Sequence, residues 1–181
     1  MFEYVNNVSM MSHNIIKSYV KFPRIAVDCT LGNGLDTDFL SSHFKKVYSF
    51  DIQKNAIDSY TSKKPENVIL IYDSNENIMK YITEPKVDCI VYNLGYLPGD
   101  NKVITTTAES TISSLKSALN LIASKGFILI CSYLGHEEGK RENLYLEDFL
   151  KKINKKTFGV MSHRYINRKE DSPILYIIEK K

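Results

Sequence analysis

The residues best suited to chemistry stand where four short apolar runs end. Each run closes on an acid or an amide, and these residues are Asp28, Asp51, Asp73 and Asn93. Their oxygens accept hydrogen bonds from hydroxyl groups, amines and cations. If the runs are parallel strands of one sheet, their carboxyl ends meet at the edge where such sheets bind ligands. The spacing therefore predicts a ligand cleft lined by carboxylate and amide groups.

The first of these runs continues into a loop with two glycines. Residues 25–37 read as a strand, a Gly-x-Gly turn at Gly32 and Gly34, and the start of a helix. Glycine lets a ligand approach the backbone, and the helix offers its first N–H groups to that ligand. The third glycine of the dinucleotide fingerprint is replaced by Thr37, and Asp28 would repel pyrophosphate. An ordinary strand-to-helix turn is the alternative.

S-adenosylmethionine fits this loop better than a dinucleotide does, because it carries an ammonium group and no phosphate. We expect Asp28 to pair with the ammonium. Asp51 lies 17 residues after Gly34, near the spacing of about 20 at which an acid reaches ribose hydroxyls. After the third strand, Asp73 and Ser74 either contact the adenine amino group or cap the helix predicted over residues 76–82.

The fourth run leads into Asn93-Leu94-Gly95-Tyr96, a relaxed form of the Asn/Asp-Pro-Pro-Tyr/Phe motif of amino-methyltransferases. In that motif the amide carbonyl accepts a hydrogen from the target amine, which aims the nitrogen lone pair at the methyl group. An aromatic ring such as Tyr96 stacks on a base. Positioning does most of the work in such a displacement. A simple turn that uses glycine and proline is the alternative reading.

A polar loop over residues 132–139 follows the fifth predicted strand and contains His136 and Glu137. Both are expected to face the cleft. His136 could take the proton that the amine loses, because the ordinary pKa of histidine is near neutral. It could equally act as a hydrogen-bonding wall of the substrate site.

Strands and helices alternate five times along the chain, and two further strands close it. Helices are predicted at 9–20, 36–44, 55–62, 76–82, 105–122 and 141–153, and strands at 25–28, 46–51, 68–72, 86–92, 127–131, 158–166 and 174–178. Gly126 is predicted to reverse the chain. This order predicts an α/β fold with a seven-stranded, mostly parallel sheet and helices on both faces. The closing hairpin adds an antiparallel C-terminal strand at one edge.

Composition favours an ordinary globular protein. The 181 residues suit one domain, 1–181, with 43% hydrophobic and 25% charged residues. No apolar run is long enough for a membrane span and no signal peptide is evident, so a cytoplasmic location is expected. The three cysteines lie in apolar runs and are expected to be reduced and buried. Residues 140–181 hold 11 Lys/Arg against 6 Asp/Glu, which is compatible with an RNA surface.

Together these stretches resemble the YtqB-like "putative rRNA methylase" family. Members of this family are class I methyltransferases with a Rossmann-like fold, and one of them methylates 5-aminomethyl-2-thiouridine at the wobble position of tRNA. The matching stretches are residues 28–37, 50–53, 93–99, 135–139 and 178–180. The chain departs from the family at Asp100 and at Arg168, which affects expected RNA contacts more than the cofactor site.

The resemblance implies S-adenosylmethionine as cofactor, no metal, and the tRNA anticodon loop as partner. The implied cofactor-binding residues are Asp28, Thr30, Gly32, Asn33, Gly34, Asp36, Asp51, Ile52, Gln53, Asp73, Ser74 and Asn93. The residues implied next to the transferred methyl are Asn93 and Leu94, with His136 as a candidate base. The implied substrate-binding residues are Tyr96, Leu97, Pro98, Gly99, Tyr133, His136, Glu137 and Arg168.

The leading hypothesis is therefore an S-adenosylmethionine-dependent N-methyltransferase acting on the wobble-position aminomethyl group. Lys140, Arg141, Arg164 and Arg168 would hold RNA phosphates. The alternatives are methylation of rRNA or of a small amine, a non-catalytic binding module, and a dinucleotide-dependent oxidoreductase. The sequence is silent on the oligomeric state, for which a homodimer is one alternative.

Overall fold

The computed structural model describes residues 2–95 and 107–181 and has a seven-stranded sheet at its centre. The strands are β1 (Ile25–Asp28), β2 (Lys46–Asp51), β3 (Val68–Tyr72), β4 (Val87–Leu94), β5 (Ile122–Ser132), β6 (Phe158–His163) and β7 (Ile174–Lys180). The helices are α1 (Val8–Tyr19), α2 (Leu35–Ser41), α3 (Lys54–Thr61), α4 (Ile78–Tyr81), α5 (Ala108–Leu121) and α6 (Glu137–Lys151). A 3₁₀ turn at Asn75–Asn77 precedes α4.

The strand order is β3-β2-β1-β4-β5-β7-β6. The first five strands are mutually parallel, and β7 pairs antiparallel with both β5 and β6. The predicted mostly parallel sheet and antiparallel C-terminal strand are confirmed. The expectation that the antiparallel strand lies at the edge is wrong, because β7 inserts beside β5 and leaves β6 as the edge strand. The chain reverses direction across the sheet between β1 and β4, which opens a crevice outside their carboxyl ends.

The sheet is covered by helices on both faces, and alternate strand residues face opposite cores. Ala26 and Cys89 belong to the core that contains residues of α1, α2 and α3, whereas Val27 and Ile90 belong to the core that contains residues of α4, α5 and α6. A strand that is buried on both faces must be apolar at nearly every position. This requirement explains the continuous hydrophobic runs of β1, β4 and β5.

Local capping sets several helix starts. Asn7 accepts a hydrogen bond from the N–H of Met10 and begins α1 at Val8, close to the predicted helix over 9–20. Thr107 caps α5 with a reciprocal bond to Ser110. α6 begins four residues earlier than predicted, because the His136 ring accepts the N–H of Gly139 at 2.8 Å. The segment predicted as a polar loop therefore contains the first turn of α6.

The region around Gly126 is a bulge within β5. Ile122 pairs with Val87, and pairing resumes at Phe127 with Cys89, so the intervening residues are looped out. Lys125 takes up the left-handed conformation with φ of 62°. The strand thus starts at Ile122, directly after α5, and the predicted start at Phe127 marks where its regular pairing begins.

The three cysteines are buried and form no disulfide, in agreement with the prediction. Burial raises the pKa of each thiol above its usual range, which disfavours the reactive thiolate. In the described part of the chain no helix has the length and apolar character that crossing a membrane requires. Residues 2–95 and 107–181 also contain no cluster of three His, Cys, Asp or Glu side chains that could hold a metal ion.

Candidate active site

A cleft of about 1060 Å³ opens at the carboxyl ends of β1, β2 and β4, where the sequence predicts a ligand. Its walls come from the glycine loop, the ends of β2 and β4, the start of α1, and the segment between β5 and α6. Twelve predicted site residues line it: Thr30, Gly32, Asn33, Asp36, Asp51, Ile52, Gln53, Ser74, Asn93, Leu94, Tyr133 and His136. The fold therefore brings together side chains that are up to about a hundred residues apart in the sequence.

The end of β2 is tied directly to the glycine loop. One carboxylate oxygen of Asp51 accepts the N–H of Gly32 at 2.9 Å, and the other accepts the N–H of Gln53 at 2.8 Å. Burial raises the pKa of Asp51, and these two backbone donors oppose that rise. Each carboxylate oxygen has a second lone pair. Asp51 therefore faces the cleft as a fixed acceptor with capacity for ligand hydroxyl groups.

Gly34 has a structural function at the start of α2. Its φ of 84° lies in the left-handed region, and an added Cβ would lie 2.2 Å from a ring carbon of Tyr60. Gly34 does not line the cleft, whereas Gly32 does. The two glycines of the loop thus have different roles: Gly32 faces the ligand space, and Gly34 allows the turn to pack against α3.

Asp28 is fully buried, contrary to the expectation that it contacts a ligand. Its carboxylate accepts the N–H of Thr30 at 3.0 Å and the hydroxyl of Thr37 at 2.6 Å. Burial, and then repulsion from Asp36, raise the pKa of Asp28 to about 7. Asp28 does not line the cleft. The predicted direct ammonium contact does not fit this position, and Asp28 instead braces the loop between β1 and α2.

Asp73 also has a local structural role. Its carboxylate accepts hydrogen bonds from Tyr81, Asn77 and the Ser74 N–H, and these bonds lower its pKa. It does not line the cleft. Ser74 does, and its hydroxyl also caps the 3₁₀ turn through Glu76 N–H, which confirms the capping alternative for Ser74. The direct cofactor contact predicted for Asp73 does not fit these positions.

Asn93, at the end of β4, has its backbone and side chain held by different groups. Its N–H donates to the hydroxyl of Thr30 at 2.8 Å, and its side-chain Nδ2 donates to Oδ2 of Asp36. Its Oδ1 is buried and has no hydrogen-bond partner among residues 2–95 and 107–181. Buried polar atoms are nearly always paired. An unpaired Oδ1 on a cleft-lining residue marks the place where a ligand donor belongs.

Asp36 connects Asn93 to a residue that the sequence did not suggest. Its Oδ1 lies 2.5 Å from Nε2 of His13 on α1. The His13 ring stacks on Phe39 of α2, with 3.8 Å between ring centroids and 5° between planes. Only 12% of the His13 side chain is exposed. Three elements that are distant in sequence thus meet in a His13–Asp36–Asn93 chain at the cleft wall.

His136 and Tyr133 stand next to the end of β4. A Cβ built on Gly95 would lie 3.9 Å from both His136 Nε2 and the Cβ of Tyr133. Nδ1 of His136 accepts the Gly139 N–H, so the proton of the neutral ring sits on Nε2. That tautomer presents a donor at Nε2, and it cannot accept a proton there while the cap is intact. The geometry therefore favours His136 as a hydrogen-bond donor in the wall of the cleft over His136 as a base.

Several other predicted residues lie away from the cleft. Glu137 is exposed and pairs with Lys140, so its predicted position facing the cleft is wrong. Arg141 pairs with Glu109 and Glu138, and Arg164 pairs with Glu147. Arg168 does not line the cleft either; its guanidinium stacks on Tyr165 at 3.8 Å. Tyr96, Leu97, Pro98 and Gly99 lie outside the described residues.

The start of α1 and the segment between β6 and β7 supply cleft residues that sequence reasoning missed. They are Asn7, Ser9, Met10, His13, Asp171 and Pro173. The hydroxyls of Ser9 and Tyr133 approach to 3.5 Å, which connects α1 to the far wall. In the sequence α1 shows only an amphipathic pattern, and no motif indicates that its first turns face a ligand.

Comparison with known proteins agrees with this architecture. Residues 47–179 match the family described as "Putative rRNA methylase". A structure described as a "putative rRNA-methylase" from Clostridium thermocellum is 38% identical, with a TM-score of 0.93 over 98% of this chain and 99% of that chain. A "putative methyltransferase" from Streptococcus mutans, solved in complex with SAH, is 33% identical, with a TM-score of 0.88 over 98% and 99% of the two chains.

A curated relative is the chloroplastic tRNA (mnm(5)s(2)U34)-methyltransferase of Arabidopsis thaliana. It is 31% identical over 156 residues, and the match covers 77% of this chain. The chain spans 57% of that relative's length. Because the family match extends over most of the chain and a solved member superposes over nearly all of it, the chain belongs to the "Putative rRNA methylase" family.

Proposed function

We propose that this protein transfers the methyl group of S-adenosylmethionine to the primary amine of 5-aminomethyl-2-thiouridine at the wobble position of tRNA. The observation that carries the proposal is the buried Oδ1 of Asn93, which lines the cleft and lacks a partner among the described residues. A carbonyl-type oxygen accepts N–H donors, and a primary amine has two of them. The site is therefore matched to a nitrogen nucleophile.

The cofactor end of the cleft fits a cationic group without phosphate. Asp36 and Asp51 both line it, and their negative charge favours ammonium and sulfonium groups and disfavours pyrophosphate. Asp51 is held by the N–H groups of Gly32 and Gln53, and its remaining lone pairs can accept hydrogen bonds from ribose hydroxyl groups. The related Streptococcus mutans structure contains SAH, the demethylated form of this cofactor. These features support S-adenosylmethionine over a dinucleotide.

The acceptor end needs positioning more than acid–base chemistry. Bound S-adenosylmethionine supplies a methyl group whose carbon–sulfur bond breaks as the amine nitrogen takes the methyl. Asn93 Oδ1 accepts one amine N–H and so directs the lone pair of the neutral amine. The additional proton of the methylated amine leaves to water. Because Nδ1 of His136 accepts the N–H of Gly139, it is not available to take the proton of the amine. In this proposal His136 contacts the substrate through Nε2 and does not act as the base.

The size and walls of the cleft support a nucleoside acceptor. A volume of about 1060 Å³ lies just above the range of about 300–1,000 Å³ for small-ligand pockets, so cofactor and nucleoside can be accommodated together. Tyr133 is 36% exposed and lines the wall beside the end of β4, where a splayed base can stack. The stacked pair of Arg168 and Tyr165 offers a second contact for RNA.

The tRNA assignment draws on the curated relative, whereas the family name refers to rRNA. A labelled-methyl assay separates the two. The purified protein is incubated with radiolabelled S-adenosylmethionine and either tRNA or rRNA from a strain that lacks this protein. We expect label in tRNA alone, recovered after digestion as the methylated aminomethyl nucleoside. Label in rRNA, or in a different tRNA nucleoside, would overturn the assignment.

The role of Asn93 is tested in the same assay with Asn93→Ala. We expect the transfer rate to fall by roughly tenfold to hundredfold, because the amine is no longer oriented, while SAH binding by calorimetry stays within about threefold. Asn120→Ala, at an exposed position of α5, is the matched control and should leave both quantities unchanged. Loss of SAH binding equal to the loss of rate would contradict the assigned role.

A cytoplasmic location and a homodimer belong to the same proposal. Cell fractionation checks the first, and sedimentation of the purified protein at several concentrations checks the second. A membrane-bound fraction or a concentration-independent monomer would overturn the respective prediction.

A further inference from the structure

We propose that His13 is a positioning residue that acts through Asp36 to fix the orientation of the Asn93 amide. The inference rests on the proposed function, in which Asn93 Oδ1 accepts an amine hydrogen. His13, Asp36 and Asn93 come from α1, α2 and β4, and they form a continuous hydrogen-bonded chain at the cleft wall. His13 does not contact the amine in this arrangement.

The orientation of an amide side chain must be set by its neighbours, because a half-turn about χ2 exchanges Oδ1 and Nδ2. The backbone N–H of Asn93 is held by Thr30, but that bond does not decide which amide atom faces the cleft. An ionised carboxylate can only accept hydrogen bonds, so Asp36 requires Nδ2 on its side and turns Oδ1 towards the cleft. The opposite orientation would present N–H groups to the amine and occupy its lone pair.

His13 holds the carboxylate of Asp36 in its position beside Asn93. Its Nε2 donates to Oδ1 of Asp36, while Asn93 donates to Oδ2, so both oxygens of a nearly buried carboxylate are satisfied. Without the His13 donor, Asp36 would be left partly unpaired beside the buried carboxyl group of Asp28. A carboxylate that lacks this donor could turn away from Asn93, and Nδ2 would then lose its acceptor. The amide of Asn93 would be free to take the non-productive orientation.

The His13 ring is itself fixed in place. It stacks on Phe39 with nearly parallel planes, and α1 packs against β5 and β7. His43 contacts the same Phe39 ring at 4.4 Å in a tilted geometry, but it is exposed and bonds to the Phe39 carbonyl. These two histidines share one aromatic neighbour, and only His13 reaches Asp36 in the contacts that the structure describes. His43 therefore provides a matched control.

The first test compares His13→Leu, His13→Gln and His43→Leu in the methyl-transfer assay. Leucine keeps an apolar contact with Phe39 and removes the donor, whereas the Nε2 of glutamine reaches about as far as that of histidine. We expect His13→Leu to lower kcat by about 10- to 100-fold with the KM for S-adenosylmethionine within about threefold. We expect His13→Gln to recover most of the rate and His43→Leu to match the wild type. Equal rates for the two leucine variants would overturn the proposal.

A second readout needs no turnover. In the protein without cofactor or RNA, the side-chain amide of Asn93 is assigned by NMR from the signals that Asn93→Ala removes. A hydrogen bond to a carboxylate shifts one amide proton downfield, and we expect His13→Leu to abolish this shift and His13→Gln to keep it. An unchanged Asn93 signal in a folded His13→Leu variant would overturn the positioning role. If the wild type methylates no amine but its Asn93 signal depends on His13, the proposed function fails and the His13–Asp36–Asn93 coupling stands.

Discussion

Replacing Asp28 by asparagine should make the protein more stable at alkaline pH. Asp28 is completely buried at the end of β1, and its pKa is raised to about 7 by burial and by the charge of Asp36. An asparagine amide can keep both local bonds: its oxygen accepts the Thr30 N–H, and its nitrogen donates to the Thr37 hydroxyl, which then donates to Ser49. The substitution therefore removes a charge and keeps both hydrogen bonds that hold the loop.

The direction in which stability changes with pH follows from whether the folded or the unfolded state binds the proton of Asp28 more tightly. The folded-state pKa of Asp28 lies above the value of 3.8 for an exposed carboxyl group, so the folded state holds the proton longer as pH rises. Stability from this group is complete below the unfolded pKa and is lost as pH rises through about 7. The difference between the two pKa values corresponds to up to about 4 kcal/mol of unfolding free energy. The Asp28→Asn variant, which has no proton to lose at this position, would not show this decline.

Urea unfolding of the wild type and of Asp28→Asn at pH 5 and pH 8 measures the effect. We expect the free energy of unfolding of the variant, relative to the wild type, to be larger at pH 8 than at pH 5 by about 2–4 kcal/mol. Asp58→Asn, which removes an exposed carboxylate paired with Lys54, should change this difference by less than about 0.5 kcal/mol. The reasoning about burial would be refuted if Asp28→Asn were equally destabilising at both pH values.

Three further substitutions test the glycine loop, the start of α6 and the end of β2. Gly34→Ala forces a left-handed φ of 84° on alanine and sets a Cβ 2.2 Å from an aromatic carbon. Thermal unfolding should therefore show a loss of about 2 kcal/mol or more in the free energy of unfolding. The control Gly159→Ala, with no neighbour within 4 Å, should show little loss. Gly139→Ala sets a Cβ 2.2 Å from the carbonyl oxygen of Tyr133; it should weaken RNA binding in a filter assay and leave SAH binding by calorimetry nearly unchanged. Asp51→Ala should weaken SAH binding by roughly tenfold to hundredfold and leave the rate at saturating cofactor nearly unchanged; the reverse pattern would contradict a ribose contact.

The parts of the fold that follow from local chemistry could be predicted from the sequence. Buried parallel strands must be apolar on both faces, so β1 to β5 appear as hydrophobic runs with turn residues at their ends. The place of β7 between β5 and β6 could not be derived this way, because both strands of a hairpin can pair with the existing edge. The early start of α6 depended on one side chain, since His136 caps Gly139 and extends the helix into an apparent loop.

The candidate site shows the same difference between local and long-range effects. The positions of Asp51 and Asn93 at the cleft could be predicted, because a strand end fixes where its side chain emerges. The structural role of Asp28 could not be predicted, because the burial of its carboxylate depends on how Thr37 of α2 and Ser49 of β2 pack around it. His13 carries no sequence signal at all, because its partner is 23 residues away and the contact depends on how α1 docks.

The acidity of the loop connects its stability to its ligand. Asp28, Asp36 and Asp51 surround one turn, and the charges of Asp36 and Asp51 both repel a charge on Asp28. A cation bound in the cleft would lower this repulsion, so binding of a cationic cofactor should stabilise the fold more than binding of its neutral-sulfur product. The same charges that destabilise the protein without ligand therefore favour the sulfonium form over the thioether form. This preference helps S-adenosylmethionine to replace its thioether product in the cleft after each methyl transfer.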